Sequence, residues 1–203
     1  PRMPILGQEF AGTIAELGKK VTRWKKGDQV FSTAGMKMGA YAEYKCHPAD
    51  RWLALIPENM SLAEAATLPT GGLNALYFIT KAGIKAGEKV LINGAGGSIG
   101  TYSVQLAKSF GAEVTAVDSG IKLDMLKSIG AEHVIDYQQE DYTQATEKYD
   151  VIFDVVDVHP LSANLQVLND GVRYFTANQN IKIMFHSLWR SIWGRKKVIT
   201  GLA

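Results

Sequence analysis

Lys89-Val90-Leu91-Ile92-Asn93-Gly94-Ala95-Gly96-Gly97-Ser98-Ile99-Gly100 is the stretch on which the fold turns. Val90, Leu91 and Ile92 form an unbroken apolar run, the pattern of a strand buried on both faces, and Gly94 then permits a tight exit turn. Gly97 lets a ligand approach bare backbone, and Gly100 lets the next element pack close to the strand. From Ser98 onward, Ile99, Val104, Leu106, Ala107 and Phe110 fall at roughly helical spacing, so the turn opens into a helix N-terminus with free N–H groups. A glycine-rich turn by itself is a weak signal. Placed between strand and helix, glycines at 94, 97 and 100 read as a cradle for a dinucleotide's pyrophosphate, contacted by Gly94, Gly97, Ser98, Ile99 and Gly100.

Outward from that turn, strand and helix alternate with regularity. Strands are expected at 89–93, 113–117, 133–136, 150–156, near 172–176 and at 197–202, with helices at 98–110, 121–129, 160–168 and 182–193. Crossovers of this length imply an α/β fold with a doubly wound parallel sheet of Rossmann type, its ligand at the carboxyl ends of the strands. Upstream the texture is different. Thr13–Leu17, Gln29–Phe31 and Tyr41–Lys45 read as short strands between Gly- and Lys-rich turns. Ser61 and Glu64 make a capping-box signature, with helical segments at Leu62–Leu68 and Leu73–Ala82 broken at Pro69. The expected domains are a β-rich 1–58 and a Rossmann 59–203.

The 203 residues carry 46% hydrophobic and 21% charged side chains, an ordinary globular composition that excludes disordered and fibrous classes. Lys and Arg number 22 against 20 acids, so charge gives no reason to expect nucleic acid as a partner. No apolar run approaches membrane-spanning length. Cys46 is the only cysteine, which rules out an internal disulfide, fits a reducing cytoplasm, and reads as a small buried residue. The chain opens on Pro1, with its first methionine at Met3, and ends on an apolar strand, so truncation at both ends is expected. The strand at 197–202 is also a candidate to pair with its copy in a homodimer.

Asp118 falls at the end of the second Rossmann strand, where a carboxylate would accept bonds from the adenosine ribose of NADH and repel a 2′-phosphate. Ser119 and Lys122 follow at once, a hydroxyl and an ammonium suited to the 2′-phosphate of NADPH. The residues alone leave both cofactors open, as well as a plain helix-capping role for Asp118 and Ser119. His47, His133, His159 and His186 are scattered, without metal-ligand spacing.

Several ordered blocks resemble the medium-chain dehydrogenase/reductase superfamily, and within it the zinc-independent quinone oxidoreductase-like enzymes. They are Gly7-Gln8-Glu9-Phe10-Ala11-Gly12, Gly27-Asp28-Gln29-Val30, Gly39-Ala40-Tyr41-Ala42-Glu43-Tyr44, Leu68-Pro69-Thr70-Gly71-Gly72-Leu73-Asn74-Ala75, the glycine turn, and Ser128 through Tyr137. The resemblance implies a partial GroES-like domain before the Rossmann domain, and hydride transfer from NADPH, or from NADH, to a small-molecule quinone, enone or similar activated carbonyl. Gln8 stands where zinc-dependent members have a histidine ligand and Thr70 where they have a cysteine, which implies no zinc. Tyr137 resembles a tyrosine lying along the adenosine phosphate. Tyr41 and Asn74 become candidates to face substrate and nicotinamide, against the alternatives of a core strand residue and a helix-start cap. A second reading is an inactive NAD(P)H-binding module with a sensing or interaction role.

Overall fold

The computed structural model describes residues 5–177 and 197–200. The chain divides into two compact units, Pro1–Leu73 and Asn74–Ala203.

In the first unit, β1 (Glu9–Thr13), β2 (Gln29–Thr33) and β3 (Leu53–Leu55) form an antiparallel sheet in that order. β1 lies earlier than the expected Thr13–Leu17. Its register runs from Glu9 opposite Thr33 to Thr13 opposite Gln29, and the partner then leaves through the Gly27–Asp28 turn, so Ala15 to Leu17 lie past the end of the ladder. The expected strand at Tyr41–Lys45 does not form either. Its start hangs on Leu6 and Gly7 through the amides of Tyr41 and Ala40, and strand propensity without a ladder does not make a strand. Cys46, expected inside, is exposed on the same irregular segment. Trp24 and Val30 are buried, and the Trp24 indole donates to the Ala49 carbonyl at 2.9 Å.

Helix α1 (Leu62–Ala66) begins with the expected capping box. Ser61 Oγ accepts from the Glu64 amide at 3.2 Å, and the Glu64 carboxylate accepts from the Ser61 amide at 2.9 Å. Helix α2 (Leu68–Ala82) follows after the single residue Thr67. Pro69 therefore does not break a helix as expected; it sits in the first turn of one, where its missing N–H costs nothing.

The second unit holds β4 (Lys89–Asn93), α3 (Ser98–Ser109), β5 (Glu113–Asp118), α4 (Leu123–Ser128), β6 (His133–Asp136), β7 (Tyr149–Asp154), α5 (Leu161–Gln166), β8 (Leu168–Thr176) and β9 (Lys197–Thr200). The six strands are all parallel in the order β6-β5-β4-β7-β8-β9, the doubly wound arrangement expected from the sequence. Successive side chains feed two cores. Val90, Ile92, Val114, Ala116, Val151 and Phe153 pack on one face with α2, α3 and α4. Leu91, Val117, Ile152 and Tyr174 pack on the other with Leu165 and Tyr142. Covering both faces is why β4 reads as a continuous apolar run.

The helix expected at 160–168 stops at Gln166 because Leu168 already enters β8, and the helix expected at 121–129 opens as a 3-10 turn over Gly120–Lys122. The helix expected at 182–193 lies outside the described residues. Strand reversal in the order occurs between β4 and β7, and the crevice at their carboxyl ends is where a doubly wound sheet takes its ligand.

Candidate cofactor site

The turn after β4 is built by close backbone approach. Gly94 has φ of +81°, a left-handed conformation that side chains other than glycine rarely adopt, and a Cβ there would meet Val156 Cγ2 at 2.9 Å. At Gly100 a Cβ would come to 2.3 Å from the Gly94 carbonyl oxygen and 2.6 Å from the Ala95 backbone, so the first turn of α3 lies directly on the glycine turn. Gly97 is the N-cap of α3 and supplies no side-chain acceptor, which leaves the leading amides of a twelve-residue helix, those of Ser98 and Ile99 first, for an anion. The cradle fits a pyrophosphate by this test, since Cβ atoms at 94 and 100 would fill or distort it.

Asp118 ends β5 beside this turn and is buried. Its Oδ2 accepts from the Gly96 amide at 2.7 Å and its Oδ1 from the Ser119 amide at 2.8 Å, while Lys122 Nζ lies 3.0 Å from Oδ1. Burial pushes this carboxyl up, but the Ser119 amide, the Lys122 ammonium and the Gly96 amide together outweigh it and hold it below the usual carboxylate range. Ser119 Oγ also reaches Oδ1, at 3.3 Å. The structure thus brings Asp118, Ser119 and Lys122 together with the glycine turn. Tyr137 joins through its amide, which donates to the Asp118 carbonyl at 3.2 Å, and the residue is 56% exposed.

The two weaker candidates stand in different units. Tyr41 is not the core strand residue that one reading allowed; it is 78% exposed, its ring laid against Gly7, where a Cβ would meet Cδ1 at 2.5 Å. Asn74 is not a helix-start cap, because it lies inside α2 rather than at its beginning, and it is half-buried. The start of that helix is held by Glu9, whose Oε1 accepts from the Thr70 amide at 2.6 Å. Among the described residues, no group of three or more His, Cys, Asp or Glu gathers in a way that could hold a metal ion.

Two features escaped the sequence reading. Gly96, outside the regular trio, is needed because a Cβ would strike Lys122 Cδ at 2.3 Å and Asp118 Oδ2 at 2.8 Å. The second is a buried polar knot at the ends of β4 and β7. Asn93 Nδ2 donates to Asp154 Oδ1 at 2.9 Å, Tyr174 OH and Asn164 Nδ2 donate to Oδ2 at 3.0 and 3.3 Å, and the amides of Val156 and Asp157 donate to Oδ1 at 3.2 and 2.8 Å. This knot pins the loop whose Val156 abuts Gly94. Its signal was present, because Asn93 and Asp154 each follow a run of three apolar residues and stand opposite each other in register.

The architecture defines a Rossmann unit with a dinucleotide-type glycine turn, preceded by a β-rich unit. A family model described as alcohol dehydrogenase GroES-like domain matches residues 1–58, and one described as zinc-binding dehydrogenase matches residues 98–177. The chain is 37% identical over 165 residues to the 2-methylene-furan-3-one reductase of Solanum lycopersicum, covering 77% of this chain and 42% of that protein. It is 36% identical over 166 residues to the chloroplastic NADPH-dependent alkenal/one oxidoreductase of Arabidopsis thaliana, again 77% of this chain and 42% of that one. A quinone oxidoreductase from Coxiella burnetii superposes with a TM-score of 0.82 at 31% identity, covering 96% of this chain and 62% of its own. The chain belongs to the medium-chain dehydrogenase/reductase superfamily, in its quinone oxidoreductase-like family. It spans less than half the length of the two curated relatives.

Proposed function

We propose that this chain is the cofactor-holding core of a zinc-independent oxidoreductase that uses NADPH, with NADH as a second donor, to reduce a quinone, an enone or a similarly activated carbonyl compound. The observation that carries the reading is the cradle at Gly94–Gly100, with a lysine and a buried carboxylate at its adenosine side, in a chain whose relatives are named as a 2-methylene-furan-3-one reductase, an alkenal/one oxidoreductase and a quinone oxidoreductase. The dinucleotide supplies the hydride. The chain supplies the rest: the α3 amides hold the pyrophosphate, Asp118, Ser119, Lys122 and Tyr137 take the adenosine end, and Asn74 and Tyr41 offer polar groups to nicotinamide and substrate. Gln8 and Thr70, an amide and a hydroxyl at positions that bind zinc in other members, support a metal-free reaction. The single cysteine fits a reducing compartment such as the cytoplasm, and no helix among the described residues is long and apolar enough to cross a membrane. Among the described residues β9 stands last in the sheet order, which supports pairing with a second copy through that strand.

The test is loss of reduced-nicotinamide absorbance with a simple quinone, an enone and an aldehyde in turn. Turnover of the quinone or enone without added zinc, unaffected by a chelator, is expected. Binding of NADPH without turnover of any of the three would refute the enzyme reading in favour of a nucleotide-binding module.

A further inference from the structure

Asp157 breaks two local rules at the crevice where β4 and β7 end. Its φ of +55° is left-handed, and among the described residues of the Rossmann unit no other residue except glycine has a positive φ. Asp154 imposes that conformation, because its Oδ1 accepts from the amides of both Val156 and Asp157, and a glycine would adopt it without strain. The side chain is no better served. Asp157 is half-buried, and among the described residues its carboxylate accepts from no donor. Burial first, and then the charge of Asp154, push its carboxyl above the usual carboxylate range. A strained, unpaired and partly desolvated carboxylate costs stability, and at a ligand crevice that cost points to a partner arriving from outside.

The inference rests on the reading that the glycine turn holds a nicotinamide dinucleotide, and the strand order then says which part of it meets Asp157. With the pyrophosphate over the end of β4 and the adenosine toward Asp118 on β5, the nicotinamide half runs the other way, over the end of β7. The Val155 amide donates to the Asn93 carbonyl at 2.9 Å and Val156 abuts Gly94, which holds Asp157 beside the glycine turn on that side. Oxidised and reduced dinucleotides share their phosphates, riboses and adenine, and differ by the positive charge of the oxidised ring. A carboxylate here repels the phosphates of both alike and attracts only the oxidised ring. We propose that Asp157 sets the redox-state preference of the site: its unpaired carboxylate makes the chain bind the oxidised dinucleotide more tightly, relative to the reduced one, than the glycine turn alone would. Hydride given up to the substrate is what leaves the ring positive, so the same charge favours donation.

Calorimetric titration of the chain with NADP+ and with NADPH at neutral pH tests it without reference to catalysis, because the ratio of the two dissociation constants cancels every contact the two forms share. Asp157→Asn removes the charge and keeps a side chain that tolerates left-handed backbone, and Asp157→Gly removes the side chain altogether. Both variants are expected to lose at least about three-fold in affinity for NADP+ relative to NADPH, the scale of one unit-charge interaction at a partly solvated site. Asp157→Gly relieves the left-handed backbone, so it suffices if Asp157→Asn does not fold. A ratio that moves by less than about three-fold, or that moves toward NADP+, would overturn the role of Asp157 while leaving the cofactor reading standing. Wild-type chain that binds neither form would overturn both.

Discussion

Gly100→Ala puts one methyl group where the structure leaves no room. The nearest atoms to the new Cβ are the Gly94 oxygen at 2.3 Å and the Ala95 C and Cα at 2.6 Å, all of them backbone, so no rotamer change relieves the contact. Restoring ordinary contact at 3.4 Å requires α3 to move about 1 Å off the turn. Overpacking of this kind costs about 1 to 3 kcal/mol. Against it stands the helix preference of alanine over glycine, about 1 kcal/mol, since Gly100 lies within α3. The net expectation is a loss of up to about 2 kcal/mol in urea unfolding with an unchanged m-value. The displacement also separates the leading amides of α3 from the Gly94 turn, so NADPH affinity should fall about ten-fold or more. Gly72→Ala is the control. It is also helical, its Cβ would meet only Leu68 Cδ2 at 3.6 Å, and the same propensity gain should raise stability by about 0.5 to 1 kcal/mol. A Gly100→Ala protein as stable as wild type, with wild-type affinity for NADPH, would refute the close-approach account of the turn.

Asp154→Asn replaces an acceptor of five donors by a group that itself donates, stranding the Tyr174 hydroxyl or Asn93 amide in the core, and should cost about 3 kcal/mol in urea unfolding; a loss below about 1 kcal/mol would show that the knot is dispensable. Arg173→Met removes the guanidinium that donates to the Ala82 and Gly83 carbonyls at 2.6 and 3.0 Å and to Glu88 at 2.6 Å. It should cost about 2 kcal/mol and speed amide exchange at the end of α2, and unaltered exchange there would count against it. Asp118 has its folded pKa lowered, so its ionised form contributes stability above the unfolded value near about 3.9, and that contribution is lost as pH falls through the folded value. The urea midpoint of wild type should therefore drop more steeply below about pH 4 than that of Asp118→Asn, and parallel curves would contradict the bonds from Gly96, Ser119 and Lys122 to its carboxylate.

The Rossmann half was readable because its signals are local and redundant. Val90, Leu91 and Ile92 are apolar in sequence because β4 is covered on both faces, and the spaced glycines announce the turn before any contact is known. The β-rich unit was read less well. Tyr41–Lys45 has the composition of a strand, but a strand exists only where a neighbour offers a ladder, and this segment finds Leu6 and Gly7 and little more. Pro69 looked like a break because proline disrupts helix interiors, yet it stands at a beginning, where the same chemistry is harmless. Cys46 was expected inside on its residue type, and the segment that carries it is an exposed one.

The sequence by itself determined the strand, turn and helix around Gly94–Gly100, the parallel sheet that follows from regular alternation, and the presence of both an acid and a base at the end of β5. These rest on periodicity and on the conformational range of glycine, which act over a few residues. The tertiary structure decided what those charged groups do. That Asp118 spends Oδ2 on Gly96, that Lys122 lies across Gly96, and that Asn93 and Asp154 meet in a buried knot are all consequences of packing β4 between β5 and β7. Bonds of this kind join residues twenty to sixty positions apart, and their partners become definite only when the sheet brings them together.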